Sequence, residues 1–143
     1  MATSTLSIGT FSSASFRINP TNLVSAISTD PQDELPSVFA TSRLVALMEI
    51  ASARVLKPYL EPGQLSVGVT IDVSHTAPTP GDALVTAKAT YRGKEGKLFV
   101  CNVVASDEGG EDGAAVHKRA VVGAQRLLDG AKKSVADSPS QAM

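Results

Sequence analysis

The chain has few of the residues that build covalent or metal cross-links. It contains one cysteine, Cys101, so no disulfide can form within it. Cys101 falls in an apolar strand pattern, which favours a packed thiol. The two histidines, His75 and His117, stand far apart in the sequence, and no second cysteine accompanies them. We therefore expect no metal site.

A strong charge of one sign and long apolar runs are also missing. The net charge of −1 gives no electrostatic reason to expect nucleic acid or an anionic membrane as a partner. No apolar run approaches the length that spans a bilayer. The first 29 residues lack Asp and Glu, but Arg17 is their only basic residue, so a transit peptide is weakly indicated. We expect a cytoplasmic protein, with organellar targeting left open.

The composition is that of one soluble globular domain. The chain has 143 residues, of which 43% are hydrophobic and 19% charged, enough for one core. We predict a flexible N-terminus over residues 1–10, a domain over residues 11–123, and a tail over residues 124–143. A short helix is possible in that tail, around Arg126, Leu127 and Leu128.

The clearest predicted element is a helix from Thr41 to Leu60. Its apolar residues cover most of the helix circumference, which implies burial on more than one side. Thr41 is a plausible N-cap, and Pro58 should end or kink the helix.

The rest of the chain follows a period of two. An edge strand is predicted near Phe11–Ile18, and another strand runs from Ser66 to His75 with Val67, Val69, Ile71 and Val73 on one face. Further strands are predicted over Ala83–Tyr91, Leu98–Ser106 and Ala114–Val122. One long apolar helix and several antiparallel strands predict an α+β fold in which the sheet curls around the helix.

Glu49 is the most informative residue because its neighbours on the predicted helix are almost all apolar. An ionised carboxylate buried without a partner costs several kcal/mol, so it must be paired, neutralised or functional. A structural ion pair, or a helix face wetter than the pattern suggests, are the alternatives. Thr41 lies about 12 Å along the helix axis and about 80° around it. The two residues can line one side of the site but cannot touch directly without a bridging group or a partner chain.

Three further residues are candidates, each with a structural alternative. His75 continues the apolar face of its strand and suits proton transfer, although it could be a core histidine bonded to a carbonyl. Gly68 interrupts a β-branched strand, which indicates a bulge or the close approach of a ligand or helix. Arg119, beside Lys118, could be a solvated strand charge, bind phosphate or pair with a carboxylate.

Several short blocks, in order and at similar spacing, resemble the fluoroacetyl-CoA thioesterase family of hot-dog fold proteins. They lie between Glu34 and Val122. The blocks are Val38-Phe39-Ala40-Thr41 running into Leu47-Met48-Glu49, Lys57-Pro58-Tyr59-Leu60-Glu61-Pro62-Gly63, Ser66-Val67-Gly68, Ser74-His75-Thr76-Ala77, Pro80-Gly81 and His117-Lys118-Arg119-Ala120-Val121-Val122.

The resemblance implies a hot-dog fold and hydrolysis of a small acyl-CoA thioester. The family's catalytic threonine, glutamate and histidine match Thr41, Glu49 and His75, and its site glycine and arginine match Gly68 and Arg119. Coenzyme A would enter as the substrate thioester, with no separate cofactor. A homodimer is expected, because hot-dog sites are formed between two protomers. The alternatives are a non-catalytic acyl-binding protein and a hot-dog dehydratase or isomerase.

One segment departs from the family pattern. The fluoroacetyl-specialised member carries phenylalanines just ahead of the threonine, where they shield the acyl pocket. Gln32 and Leu35 stand at the corresponding positions here. We therefore expect Leu35 to border the substrate, and we expect a thioesterase without strong fluoroacetyl specificity.

Overall fold

The computed structural model describes residues 5–136, which form a five-stranded sheet and two helices. The strands are β1 (Phe11–Arg17), β2 (Gln64–His75), β3 (Leu84–Glu95), β4 (Leu98–Asp107) and β5 (Gly110–Gly123). The helices are α1 (Thr41–Leu56) and α2 (Ala124–Ala136). Short 3₁₀ turns cover Pro20–Asn22, Val24–Ala26, Pro31–Asp33 and Lys57–Tyr59.

The sheet runs in the order β1-β3-β4-β5-β2, and every neighbouring pair is antiparallel. Helix α1 contacts all five strands, so the sheet curls around it. This confirms the predicted α+β architecture. Strands β1 and β2 form the two edges, and β2 carries Gly68 and His75.

The core lies between α1 and the inward faces of the central strands. Its helix residues include Leu44, Leu47, Met48, Ala51 and Val55, and its strand residues include Val85, Ala87, Ala89, Cys101, Val103 and Ala105. Alanines on β3 and β4 let the helix backbone approach the sheet closely. The helix is less enclosed than its sequence implies, because Ile50 is 42% exposed in the single chain.

Cys101 is a packed thiol, as its strand pattern predicts. It is buried in the core, and that burial raises the pKa of the thiol to about 11, against a smaller opposing effect of Ser52. A thiol with so high a pKa is almost entirely protonated near neutral pH and is therefore a poor nucleophile.

The ends of several elements differ from the prediction. The α-helix ends at Leu56 and continues as a 3₁₀ turn, because Pro58 has no N–H to donate and its ring crowds the preceding turn. The β3–β4 connection is a tight turn at Gly96 and Lys97, and β5 already begins at Gly110. Backbone pairing between antiparallel strands thus extends through segments whose glycines and charged residues are typical of loops.

The two ends of the described chain are ordered against the sheet or as helix. The N–H of Gly9 donates to the carbonyl of Tyr91, and the N–H of Tyr91 donates to that of Thr10, so pairing extends ahead of β1. The possible short helix in the tail is a 13-residue helix, α2. The predictions for residues 1–4 and 137–143 fall outside the described residues.

Candidate active site

The first half of the candidate site is a hydrogen bond between Thr41 and His75. Thr41 Oγ1 lies 2.8 Å from His75 Nδ1, and it joins the first residue of α1 to the last residue of β2. The prediction that Thr41 caps α1 is wrong. Ala40 occupies the N-cap position, with extended backbone and no side-chain cap. The Thr41 hydroxyl therefore bonds the imidazole instead of a backbone N–H at the helix start.

His75 sits in apolar surroundings at the end of its strand. The ring of Phe39 meets the imidazole edge to face, with centroids 6.1 Å apart. Burial lowers the pKa of His75, so the neutral imidazole is favoured near neutral pH. Its Nε2 atom is buried and has no hydrogen-bond partner among residues 5–136. Buried polar atoms are nearly always bonded, so an unpaired imidazole nitrogen is unusual in a folded protein.

A cavity of about 270 Å³ opens beside this pair. Its walls are formed by Val24, Val38, Phe39, Thr41, His75, Thr76, Ala77 and Pro78. Most of these side chains are apolar, and the hydroxyl and imidazole supply the polar groups. Such a lining is typical of a site for a small ligand.

The second half of the site is a pair formed by Glu49 and Arg119. Glu49 Oε1 lies 3.7 Å from Arg119 Nη1, between the third turn of α1 and strand β5. The Glu49 side chain is 43% exposed in the single chain, while that of Arg119 is 8% exposed. Glu49 is thus paired and partly solvated, which fits the two alternatives named from the sequence, an ion pair and a helix face wetter than the apolar pattern suggests. A partly exposed pair adds little to stability, so its placement calls for another explanation.

Gly68 is the residue that makes room for this carboxylate. The pairing of β2 with β5 shifts register between Gly68 and Thr70, which confirms the bulge. A Cβ atom at position 68 would overlap Glu49 Oε1 and would lie 3.1 Å from Cε1 of His117. The close approach predicted from the glycine is therefore an approach of the Glu49 carboxylate to the strand backbone.

Arg119 is anchored on three sides besides Glu49. Its Nε donates to Ser66 Oγ, its Nη2 donates to the Ser66 carbonyl, and its Nη1 lies 3.0 Å from Nε2 of His117. Burial lowers the pKa of Arg119 and the Glu49 charge raises it, and the guanidinium stays protonated. The interpretation of Arg119 as a solvated strand charge is wrong. Lys118 does fit that interpretation, since it pairs with the exposed Glu95.

His117 is a member of the site that the sequence analysis did not select. It is 1% exposed, and its Nδ1 lies 2.8 Å from the carbonyl of Thr70. That carbonyl can only accept, so Nδ1 carries the proton and Nε2 accepts from Arg119. Burial lowers the pKa of His117, and the Arg119 charge lowers it further. His117 and Arg119 share the inward face of β5, and this period-two parity could have identified them together.

The structure keeps these two halves apart within one chain. Thr41 and His75 form one pair and Glu49 and Arg119 the other, and within residues 5–136 no hydrogen bond joins Glu49 to Thr41 or His75. Leu35 belongs to neither half. It is exposed and lines a separate hollow with residues of the segment from Ser25 to Glu34.

The described part of the chain has neither a cluster of metal-binding side chains nor a membrane-spanning helix. Among residues 5–136, no group of three or more His, Cys, Asp and Glu side chains is placed to hold a metal ion. No helix of that segment is long and apolar enough to cross a membrane.

Sequence comparison places the chain in a known family. The family profile of fluoroacetyl-CoA-specific thioesterases matches residues 20–125. The chain belongs to this family. The match contains Thr41, Glu49, Gly68, His75 and Arg119, and it runs from the segment before α1 through β5.

A curated member of the family is a fluoroacetyl-CoA thioesterase from Streptantibioticus cattleyicolor. It is 47% identical to this chain over 89 residues, which are 62% of this chain. The matched segment spans 64% of the length of that relative.

Solved structures of the fluoroacetyl-CoA-specific thioesterase share the fold. A threonine-to-alanine variant in complex with fluoroacetate has a TM-score of 0.84 at 35% identity, covering 90% of this chain and 98% of that one. A phenylalanine-to-alanine variant in complex with fluoroacetate and CoA has a TM-score of 0.79 at 38% identity, covering 85% and 98%. A thioesterase superfamily member from Thermus thermophilus is 21% identical, covers 90% and 92%, and matches with a TM-score of 0.79. These likenesses confirm the hot-dog fold.

Proposed function

We propose that this protein hydrolyses a small acyl-CoA thioester at a site built from Thr41, Glu49 and His75. The observation that carries the proposal is the position of the Glu49 carboxylate between Arg119 and Gly68. A partly solvated carboxylate is held by a buried arginine above a glycine that leaves it space. Family membership and the CoA-bound structure of a relative support the same substrate class.

In this mechanism Glu49 is the group that starts the reaction. It either attacks the thioester carbonyl as nucleophile or takes a proton from the attacking water as general base. In both cases the C–S bond breaks, coenzyme A leaves as the thiol, and water supplies the oxygen of the product acid. The ion pair with Arg119 fixes the direction of the carboxylate.

Thr41 and His75 act on the other side of the reacting carbonyl. The hydrogen bond between Thr41 and Nδ1 fixes the imidazole ring of His75, which lines the cavity. Nε2 orients the substrate or transfers a proton to the leaving sulfur. Backbone N–H groups near Gly68 or at the start of α1 stabilise the oxyanion.

Arg119 is proposed as a brace for Glu49 rather than a ligand for coenzyme A phosphate. Its guanidinium donates to Ser66 and His117 and faces Glu49, and its side chain is almost fully buried. A phosphate group would have to displace these partners, and a buried guanidinium offers it little access.

A panel of thioesters tests the proposed activity. Acetyl-, malonyl-, longer acyl- and aryl-CoA esters are incubated with the protein, and thiol release is followed. At least one small acyl-CoA should release thiol well above the uncatalysed rate. Tight binding without thiol release across the panel would instead identify an acyl-binding protein.

We also propose that the protein works as a homodimer. Strand β2 is a sheet edge, and Val69 on this strand and Ile50 on α1 are half-exposed in the single chain. Edge-to-edge pairing of two β2 strands would cover these groups and enclose Glu49. Light scattering at micromolar protein should report about twice the 14.8 kDa chain mass. A stable and active monomer would contradict this prediction.

The acyl specificity should be broader than the names of the relatives suggest. Leu35 stands where the family resemblance places a shielding phenylalanine, and one small substituent is worth only about 1–3 kcal/mol in an apolar pocket. We therefore expect kcat/KM for fluoroacetyl-CoA to stay within about 100-fold of that for acetyl-CoA. A preference of several orders of magnitude in the natural chain would show that other residues shield the pocket.

A further inference from the structure

A cluster of buried polar side chains lies behind the Thr41–His75 pair and outside the residues assigned so far. Thr79, in the loop after β2, and Asp112, on β5, are both fully buried. Thr79 Oγ1 lies 3.0 Å from Asp112 Oδ1 and 3.0 Å from Asp107 Oδ2. Asp107 Oδ1 in turn accepts from the N–H of Gly109. A carboxylate that is buried without a partner is costly, so the hydrogen bond with Thr79 matters for the buried Asp112.

Both contacts of Thr79 can be hydrogen bonds at the same time only when one of the two carboxyl groups is protonated. A threonine hydroxyl has one hydrogen and can donate to only one of its two carboxyl neighbours. If Asp112 is protonated, it donates to Thr79 and Thr79 donates to the ionised Asp107. Burial and the hydrogen bond with Asp107 raise the pKa of Asp112 to about 6, and the hydrogen bond with Asp112 lowers the pKa of Asp107.

This cluster closes a ring of contacts around the catalytic pair. The Asp112 carbonyl accepts the N–H of Thr76, the residue after His75. The carbonyl of Thr79 accepts the N–H of Phe39, two residues before Thr41. The ring therefore passes from Asp112 through Thr76 and His75 to Thr41, and returns through Phe39 and Thr79. Four members of the ring, Phe39, Thr41, His75 and Thr76, line the cavity of about 270 Å³.

We propose that Thr79 and Asp112 are positioning residues that fix the geometry of the Thr41–His75 hydrogen bond. Neither residue lines the cavity. Each acts through the backbone segments that carry the catalytic side chains. The catalytic part of this inference rests on the proposed function, whereas the effect on His75 does not.

The matched pair Thr79→Val and Thr79→Ser tests the role of the hydroxyl. Valine has nearly the same shape but removes both hydrogen bonds, and serine keeps them. Thr79→Val should lower kcat on the best thioester by about 10- to 100-fold with KM little changed, because misplaced catalytic groups slow the chemical step. Thr79→Ser should rescue kcat. Val103→Ala, a core substitution on β4 away from the cluster, is the control for a general loss of stability.

The NMR signals of the His75 ring nitrogens give a readout that needs no turnover. They should shift in Thr79→Val, and stay in place in Thr79→Ser and in Val103→Ala. If the natural chain hydrolyses no thioester but these signals still shift, the proposed function is wrong and the positioning role of Thr79 is supported. Wild-type kcat and unshifted His75 signals in a folded Thr79→Val protein would show that Thr79 does not position the Thr41–His75 pair.

Asp112→Asn tests the shared proton and remains informative if Thr79→Val does not fold. Because the pKa of Asp112 is higher in the folded protein than in the unfolded chain, its protonation stabilises the fold. This stabilisation is fully present at a pH below the pKa of the unfolded chain and is lost as the pH rises through about 6. Asparagine does not titrate, so the thermal midpoint of the variant should rise relative to wild type between about pH 4 and about pH 7. The charged group that acts on Asp112 is Asp107 on β4. His75 is paired with Gly113, the residue after Asp112, and its ring is hydrogen-bonded to Thr41 instead. A constant difference between the two midpoints across this range would refute the shared proton.

Discussion

Glu49→Gln should abolish most thioester hydrolysis while leaving the fold intact. Glutamine keeps the shape of the side chain but can neither attack the carbonyl nor accept a proton from water. Acid–base groups of this kind contribute about 10²- to 10⁴-fold to the rate, and we expect a loss of kcat in that range. The position is partly exposed in the single chain, so the neutral amide should be tolerated. Thiol release from the best ester and thermal unfolding measure the two effects separately.

Glu95→Gln is the matched control for this substitution. Glu95 also pairs with a basic residue of β5, Lys118, but on an exposed part of the sheet. Its loss should leave kcat unchanged. Near-wild-type hydrolysis by a folded Glu49→Gln protein would rule out Glu49 as the reacting group.

Gly68→Ala should inactivate the protein with little loss of stability. The added methyl group would overlap the Glu49 carboxylate, which is the far end of a flexible side chain and can swing away. The His117 ring, 3.1 Å from the added atom, would have to move by a few tenths of an ångström. The fold can accommodate a shift of this size, but the carboxylate would leave Arg119 and its position over the strand. We expect kcat to fall by about 10²-fold, as for other small misplacements of catalytic groups. Steady-state kinetics and thermal unfolding of the same preparation test both parts.

Gly81→Ala supplies a glycine control in the loop between β2 and β3. A Cβ atom there would meet nothing within 4 Å, so activity and stability should both stay near wild type. If Gly68→Ala lost activity only in proportion to a large loss of stability, the glycine would serve packing rather than the position of Glu49.

The architecture could be predicted from the sequence, because it depends on the spacing of apolar residues within each element. The apolar face of α1 and the period of two along the strands predict a helix enclosed by an antiparallel sheet. Gly68 could be recognised as a bulge because a glycine is out of place in a β-branched strand. Strand ends were missed where backbone pairing outweighs glycine and charge, as at Gly110.

The chemistry of the site was harder to predict, because it depends on contacts between distant segments. The sequence offered Arg119 three roles, and only the register of β5 against β2 places it beside Ser66 and Glu49. His117 was missed, although it shares the strand face of Arg119, because its partner, the carbonyl of Thr70, lies 47 residues away. Thr41 was assigned to a helix cap because its partner, His75, lies 34 residues away.

The most direct test of a single active site is a double-variant cycle of kcat/KM for Thr41→Ala and Glu49→Gln with the best thioester. The two residues lie in separate halves of the site, about 12 Å apart along α1. If both halves act on one reacting carbonyl, the double variant should be about as slow as the slower single variant, since groups acting as a unit are not additive. If the two losses simply multiply, the halves act independently, and the account of one site built from Thr41, Glu49 and His75 is wrong.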